Sequence, residues 1–180
     1  MKKIKYILSL LVLTLVFTSC NNDKTLQEYL VESQDKTGFI KFDVPTSFIQ
    51  LKNEDVSEDV KEAVKSIRKI NIVALQAKEE NEAEYQSEKA ELKKIFKNED
   101  YKSLMSMKYK GMNVKLYYTG ETDKIDEVIA FGYGNKVGVG VARLLGENMN
   151  PALIMQMMNN IKMDPSNLNL EQFTGIFSEK

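Results

Sequence analysis

The chain contains no histidine and one cysteine, Cys20. Without an imidazole, Ser-His-Asp and Cys-His nucleophilic sites are excluded. Zinc sites built from Cys and His are excluded with them. A lone cysteine cannot close an intramolecular disulfide, so the fold must rest on its apolar core. No calcium loop of the D-x-D-x-D-G kind is present. An excess of positive charge is also missing. Formal net charge is −1, and loss of Lys2, Lys3 and Lys5 with an N-terminal leader makes the remainder more acidic by three. Such a chain lacks the electrostatic footprint of a nucleic-acid binder and the basic patch that binds anionic membrane surfaces. Finally, no apolar run is long enough to span a bilayer. The longest, Tyr6 to Phe17, is broken only by Ser9 and Thr14 and covers roughly 12 residues against the ~20 required.

That short run has a purpose of its own. Lys2, Lys3 and Lys5 precede it, and Phe17-Thr18-Ser19-Cys20 follows. A basic head, an apolar stretch and small residues before a cut make an export signal. The last four residues resemble the lipobox of bacterial lipoproteins, although Phe17 stands where Leu is commoner. The reading is a cleaved signal over 1–19 and a lipid, palmitate among its acyl chains, on Cys20. Two or more acyl chains anchor stably, at roughly 0.8 kcal/mol per buried methylene. Asn21 rather than Asp after Cys20 favours the outer membrane by analogy with other diderm lipoproteins. The expected location is the cell envelope, with the periplasmic face and the surface both open.

Behind the leader the composition is that of a globular protein, 43% hydrophobic and 28% charged. Residues 20–36 form a lipidated tether with a short helix carrying Leu26, Tyr29 and Leu30 on one face. Phe39 to Val44 alternates and stops at Pro45, as a strand does, and residues 46–52 suggest one or two helical turns. Ser57, Glu58 and Asp59 start a helix over 57–69, with Val60, Ala63, Val64 and Ile67 at helical spacing. A strand, Ile70 to Leu75, follows at once, which suggests a βαβ unit, right-handed if its strands are parallel. Residues 78–99 read as a charged surface helix with Tyr85, Leu92, Ile95 and Phe96 as its apolar stripe. Four runs then alternate: 104–109, 114–118, 128–131 and 137–141. Short glycine-bearing connections make them antiparallel hairpins. Asn150-Pro151 caps a last helix, whose face is Leu153, Ile154, Met157, Met158 and Ile161. The expected fold is α+β: a largely antiparallel, mixed sheet with helices packed on one face and one βαβ unit near the start. Its single domain spans 37–162. Residues 163–180 form a C-terminal segment, partly docked through Leu168, Leu170, Phe173, Ile176 and Phe177.

Three constellations invite chemistry. Gly132-Tyr-Gly134 with Gly138 and Gly140 hints at a dinucleotide loop, but Val137 sits where that fingerprint needs Gly or Ala, and a strand rather than a helix follows. Packed hairpin glycines explain the segment better. Met149, Met155, Met157, Met158 and Met163 cluster on and around the last helix. Thioethers bind Cu(I), yet residues 155, 157 and 158 do not point one way on a helix. Core packing is the plainer reading, with Met155, Met158 and Met163 as a possible face for an apolar partner. Carboxylate pairs such as Glu58/Asp59 and Asp126/Glu127 read as solvated charge, since a glycosidase needs its two acids across a cleft. No cofactor, metal ligand or catalytic residue is assigned.

The chain also resembles an uncharacterised family of Bacteroidetes lipoproteins, domain of unknown function 4252, over roughly residues 37–162. The residues carrying the resemblance are Phe39-Ile-Lys-Phe-Asp-Val-Pro45, Lys69 to Leu75, Tyr101 to Met107, Gly111 to Leu116, Asp126 to Phe131, and Gly146 before the Met149–Met158 stretch. The resemblance implies a small exported protein and no site residues. Three functions stay open: a lipid-anchored, non-catalytic binding or interaction module; a chaperone-like or lipid-handling envelope factor using the Met-rich face; and an enzyme using a carboxylate, Ser or Lys. The partners expected are the membrane, through Cys20, and an envelope protein or lipid, with no nucleic acid.

Cys20→Ala tests the anchor. The variant should lose labelling by an alkyne fatty acid and leave the membrane fraction, whereas equal labelling of parent and variant would remove the lipobox reading.

Overall fold

The structure is a computed structural model, and it describes residues 23–44, 46, 49–51 and 55–163. Its first helix, α1 (Leu26–Glu32), starts at a capping box. Thr25 Oγ1 accepts the Glu28 N–H at 3.2 Å, and the Glu28 carboxylate accepts the Thr25 N–H at 2.7 Å. Strands β1 (Phe39–Val44) and β2 (Ile49–Leu51) follow, then helix α2 (Glu58–Ser66) and strand β3 (Ile67–Gln76). A 3₁₀ turn (Glu79–Asn81) leads into helix α3 (Glu82–Ile95). An antiparallel meander comes next: β4 (Lys102–Tyr109), β5 (Met112–Gly120), β6 (Ile125–Gly134) and β7 (Gly138–Met149). Helix α4 (Pro151–Asn160) and strand β8 (Ile161–Met163) complete the described chain.

Six strands form one sheet in the order β1-β3-β7-β6-β5-β4, and every neighbouring pair is antiparallel. The expected α+β class is therefore present. The β4–β5 hairpin turns at Lys110 and Gly111, both at positive φ (45° and 78°). That is the backbone a two-residue type I′ turn needs. The caps of α4 also follow the sequence, since Asn150 Oδ1 accepts the N–H groups of Ala152 (2.9 Å) and Leu153 (3.3 Å).

Four local expectations need correction. The helix expected over 57–69 ends at Ser66, because Ile67 turns extended and begins β3. The β-branched residues Ile67, Ile70, Ile72 and Val73 favour a pleated strand, and pairing with β7 satisfies it. In the stretch read as helical turns, Ile49–Leu51 is a strand paired with β8. Helix α2 does lie between β1 and β3 in the chain, but these strands pair antiparallel, Phe39 opposite Leu75 and Val44 opposite Ile70, so no parallel βαβ crossover is made. Ile161, expected on the last helical face, is the first residue of β8. The C-terminal segment from residue 164 onward lies outside the described residues.

Alternation along the strands divides the apolar residues between two cores. On one face, Val73, Leu75, Ile129, Phe131, Val139 and Val141 meet Leu26, Tyr29 and Leu30 of α1 and Tyr85, Leu92 and Ile95 of α3. Phe96 stacks on Tyr117 there, with ring centroids 4.6 Å apart. On the other face, Ile70 and Val128 meet Val60 and Ala63 of α2 and Ile154 and Met157 of α4. Packing on one face thus describes α1 and α3, while α2 and α4 gather under one end of the opposite face.

The Met157 side chain is fully buried and that of Met155 is 37% exposed. Met157→Ala should therefore cost ~2–5 kcal/mol, and Met155→Ala under about 1 kcal/mol. Thermal unfolding reads the difference, at ~2–4 °C per kcal/mol for a chain of this size. Equal losses would mean that Met155 is packed as tightly as Met157.

Candidate binding surface

The face that carries α2 and α4 is apolar across the sheet, yet those helices cover only its Ile70–Leu144 end. Toward the β4–β5 and β6–β7 turns the same face forms a groove of about 200 Å³. Its floor is made of small residues on three adjacent strands: Ala74 on β3, Gly140 and Ala142 on β7, Ala130 and Gly132 on β6. The register brings them together, with Ala74 opposite Gly140, Ala130 opposite Ala142, and Gly132 opposite Gly140. Gly140 has no room for a side chain, because a Cβ there would lie 2.8 Å from both the Ala74 Cβ and the Val73 carbonyl oxygen. Larger residues stand around this floor: Ile72, Met112, Val114 and Tyr109. Tyr109 is 57% exposed, and Met107 beside it on β4 is 40% exposed, so the β4 side of the groove is open. The Tyr109 hydroxyl is the one polar side-chain group among the described lining residues.

The groove is lined almost wholly by apolar atoms. Its size decides what fits. Sites that enclose a drug-sized ligand measure ~300–1,000 Å³, so this groove suits a few apolar side chains laid on a sheet.

Polar groups are concentrated on the other face, between α1 and α3. Glu88, buried on α3, receives the Lys36 ammonium at 2.5 Å and faces the Tyr29 hydroxyl. Lys24 pairs with both Glu32 and Glu91. Burial alone would lower the Lys24 ammonium, but its hydrogen bonds to the two carboxylates outweigh that and hold it above its ordinary value. Arg143 on β7 pairs with Glu127 and donates to Gln27 of α1 at 2.5 Å. The Tyr101 hydroxyl accepts the Leu26 N–H at 3.1 Å, satisfying a free donor at the helix start. The lysine pairs fasten α1 and its flanks to α3, and the Arg143 and Tyr101 contacts fasten α1 to β7 and the start of β4. Among the described residues, no group of three or more His, Cys, Asp or Glu could hold a metal ion, and no helix is long and apolar enough to cross a membrane.

The residues singled out in the sequence fall as follows. Cys20 lies outside the described residues. Met155 is on the exposed side of α4, while the side chains of Met158 and Met163 lie outside the described part. Met149 and Met157 are core. Gly132 and Gly134 lie in β6, Gly138 and Gly140 in β7, so the glycine run is a hairpin whose strands pack closely against neighbours. The groove itself escaped the sequence reading. Its signal is a small residue on the same face of three strands, visible only once register is known.

Burial pushes the phenols of Tyr29, Tyr101 and Tyr117 above their ordinary value, and Glu88 pushes Tyr29 further up. The folded chain keeps these protons at a pH where the unfolded chain releases them. Their contribution to stability is complete below about pH 10 and is lost as pH rises through the folded values. Urea unfolding should show stability falling above about pH 10, and Tyr29→Phe should flatten that decline. An unchanged slope in the variant would mean that another group titrates.

No curated protein and no solved structure matches the chain. The model of one family, described as a domain of unknown function (DUF4252), matches residues 29–157, from α1 to α4 and thus through both cores. The chain belongs to the DUF4252 family.

Proposed function

We propose that the protein is a lipid-anchored, non-catalytic binding module of the cell envelope, and that the small-residue groove is its binding surface. The observation that carries the reading is an apolar sheet face that the described helices leave open at one end, with small residues forming its floor. Apolar area removed from water there contributes ~25 cal/mol per Å², and the floor accepts large side chains where a Leu or Phe would have filled the space. The anchor supports the same reading. Leu26 is already buried, so about five residues separate Cys20 from the domain body, a reach of roughly 17–18 Å at most. A lipid on Cys20 holds the domain against the membrane and leaves it to meet partners there. The groove, rather than the Met155 side of α4, is the better apolar surface, because its half-buried Ala74, Ala130 and Ala142 lie on adjacent strands beside the exposed Tyr109.

A photo-crosslinking residue placed at Tyr109, in cells, tests this. Ser106 lies on the same strand and faces the opposite side of the sheet, so it serves as the comparison. Intermolecular adducts should form from position 109 and not from 106. Identical adduct patterns from both positions, or none from 109, would overturn the groove as a binding surface.

A further inference from the structure

The open groove has a candidate occupant within the chain. Seventeen residues follow Met163 in the sequence, 164–180. We infer that this C-terminal segment lies in the small-residue groove and acts as its resident, displaceable ligand. The inference rests on the reading of the groove as a binding surface and names what fills it when no partner is present.

Position comes first. Helix α4 packs on the same sheet face as the groove, through Ile154 and Met157. The chain then runs through β8, paired with β2, to Met163. It therefore leaves the described structure on the groove's side of the sheet. Length is sufficient. Seventeen residues reach roughly 55–60 Å when extended, and a six-stranded sheet measures roughly 24 Å across.

Chemistry agrees. Leu168, Leu170, Phe173, Ile176 and Phe177 bring five large apolar side chains within ten residues. The groove offers the complement, a floor of Ala and Gly beneath Met112, Val114 and Tyr109. Charge agrees as well. Lys110 and Lys136 line a second hollow that meets the groove at Val137, while the segment carries Asp164, Glu171 and Glu179 against Lys180. A covalently attached segment also acts at an effective concentration on the order of millimolar, so it outcompetes a dilute partner of equal intrinsic affinity and yields to a tighter one.

Disulfide trapping tests the inference in residues 20–180 carrying Cys20→Ser, which removes the only native thiol. Tyr109→Cys is combined with Thr174→Cys or Ser178→Cys, positions that leave Phe173 and Phe177 intact. The comparison places Ser106→Cys, on the opposite face, with the same partners. Mild oxidation should close an intrachain disulfide at least tenfold faster from position 109 than from 106. In parallel, Phe173→Ser with Phe177→Ser should raise the fluorescence of 1-anilinonaphthalene-8-sulfonate several-fold over the parent, and adding Ala142→Glu on the groove floor should reverse the gain. Equal trapping from 109 and 106 overturns the inference. Equal dye binding by parent and tail variant also overturns it, showing a groove that the tail does not fill. Concentration-dependent interchain disulfides from position 109 overturn it in favour of a second copy. Intermolecular adducts from position 109 and not from 106 in cells would still support the groove as a binding surface in each of these cases, whereas no adducts from 109, or the same pattern from both positions, would remove that reading.

Discussion

Pairing of β3 with β7 holds the two halves of the chain together. Strand β3 ends the segment that includes β1 and α2, and β7 ends the β4–β7 meander. Their ladder runs from Ile67 opposite Gly146 to Gln76 opposite Gly138. Both cores cross this seam. Val73 and Leu75 join Val139 and Val141 on one face, while Ile70 and Ile72 join Leu144 on the other. A shift of one residue would exchange the two faces and put each core's side chains against the wrong helices. Close approach at Gly140 resists such a shift, since only hydrogen fits between Ala74 and the Val73 carbonyl.

From this seam the two faces diverge. One is sealed by α1 and α3, whose apolar stripes fill the space over Ile129 and Phe131. Ion pairs and hydrogen bonds then fasten α1 from outside the core, through Lys36, Lys24, Arg143 and Tyr101. Among the described residues the opposite face receives two helices, both near Ile70 and Val128. Small residues take over where the helices stop, and the sheet surface becomes a groove. The division between sealed and open face therefore follows from where large and small residues sit along β3, β6 and β7.

Much of the architecture is legible in the sequence because it depends on local rules. The glycine-bearing connection at Lys110-Gly111 and the Asn150-Pro151 cap each act through neighbouring atoms, and each is realised. The stripe Tyr85, Leu92 and Ile95 is buried as its spacing implies. The errors arise where neighbours in space decide. Ile67, Arg68 and Lys69 continue a helical pattern, but pairing with Gly146 and Leu145 draws Ile67 and Lys69 into β3. Residues Ile49–Leu51 form a strand because β8 lies beside them. Strands β1 and β3 flank a helix in sequence, yet the connection lets them pair antiparallel, and no local residue encodes that direction.

By itself the sequence determined the chemistry this chain lacks, its α+β class and the place of most elements. These follow from side-chain inventory and from periodicity over a few residues, which need no knowledge of long-range contacts. The tertiary structure alone decided strand order, the use of both sheet faces and the position of the groove. Those depend on register between strands distant in the chain: Ala74, Ala130, Gly132, Gly140 and Ala142 are unremarkable one by one and become a surface only when β3, β7 and β6 lie side by side.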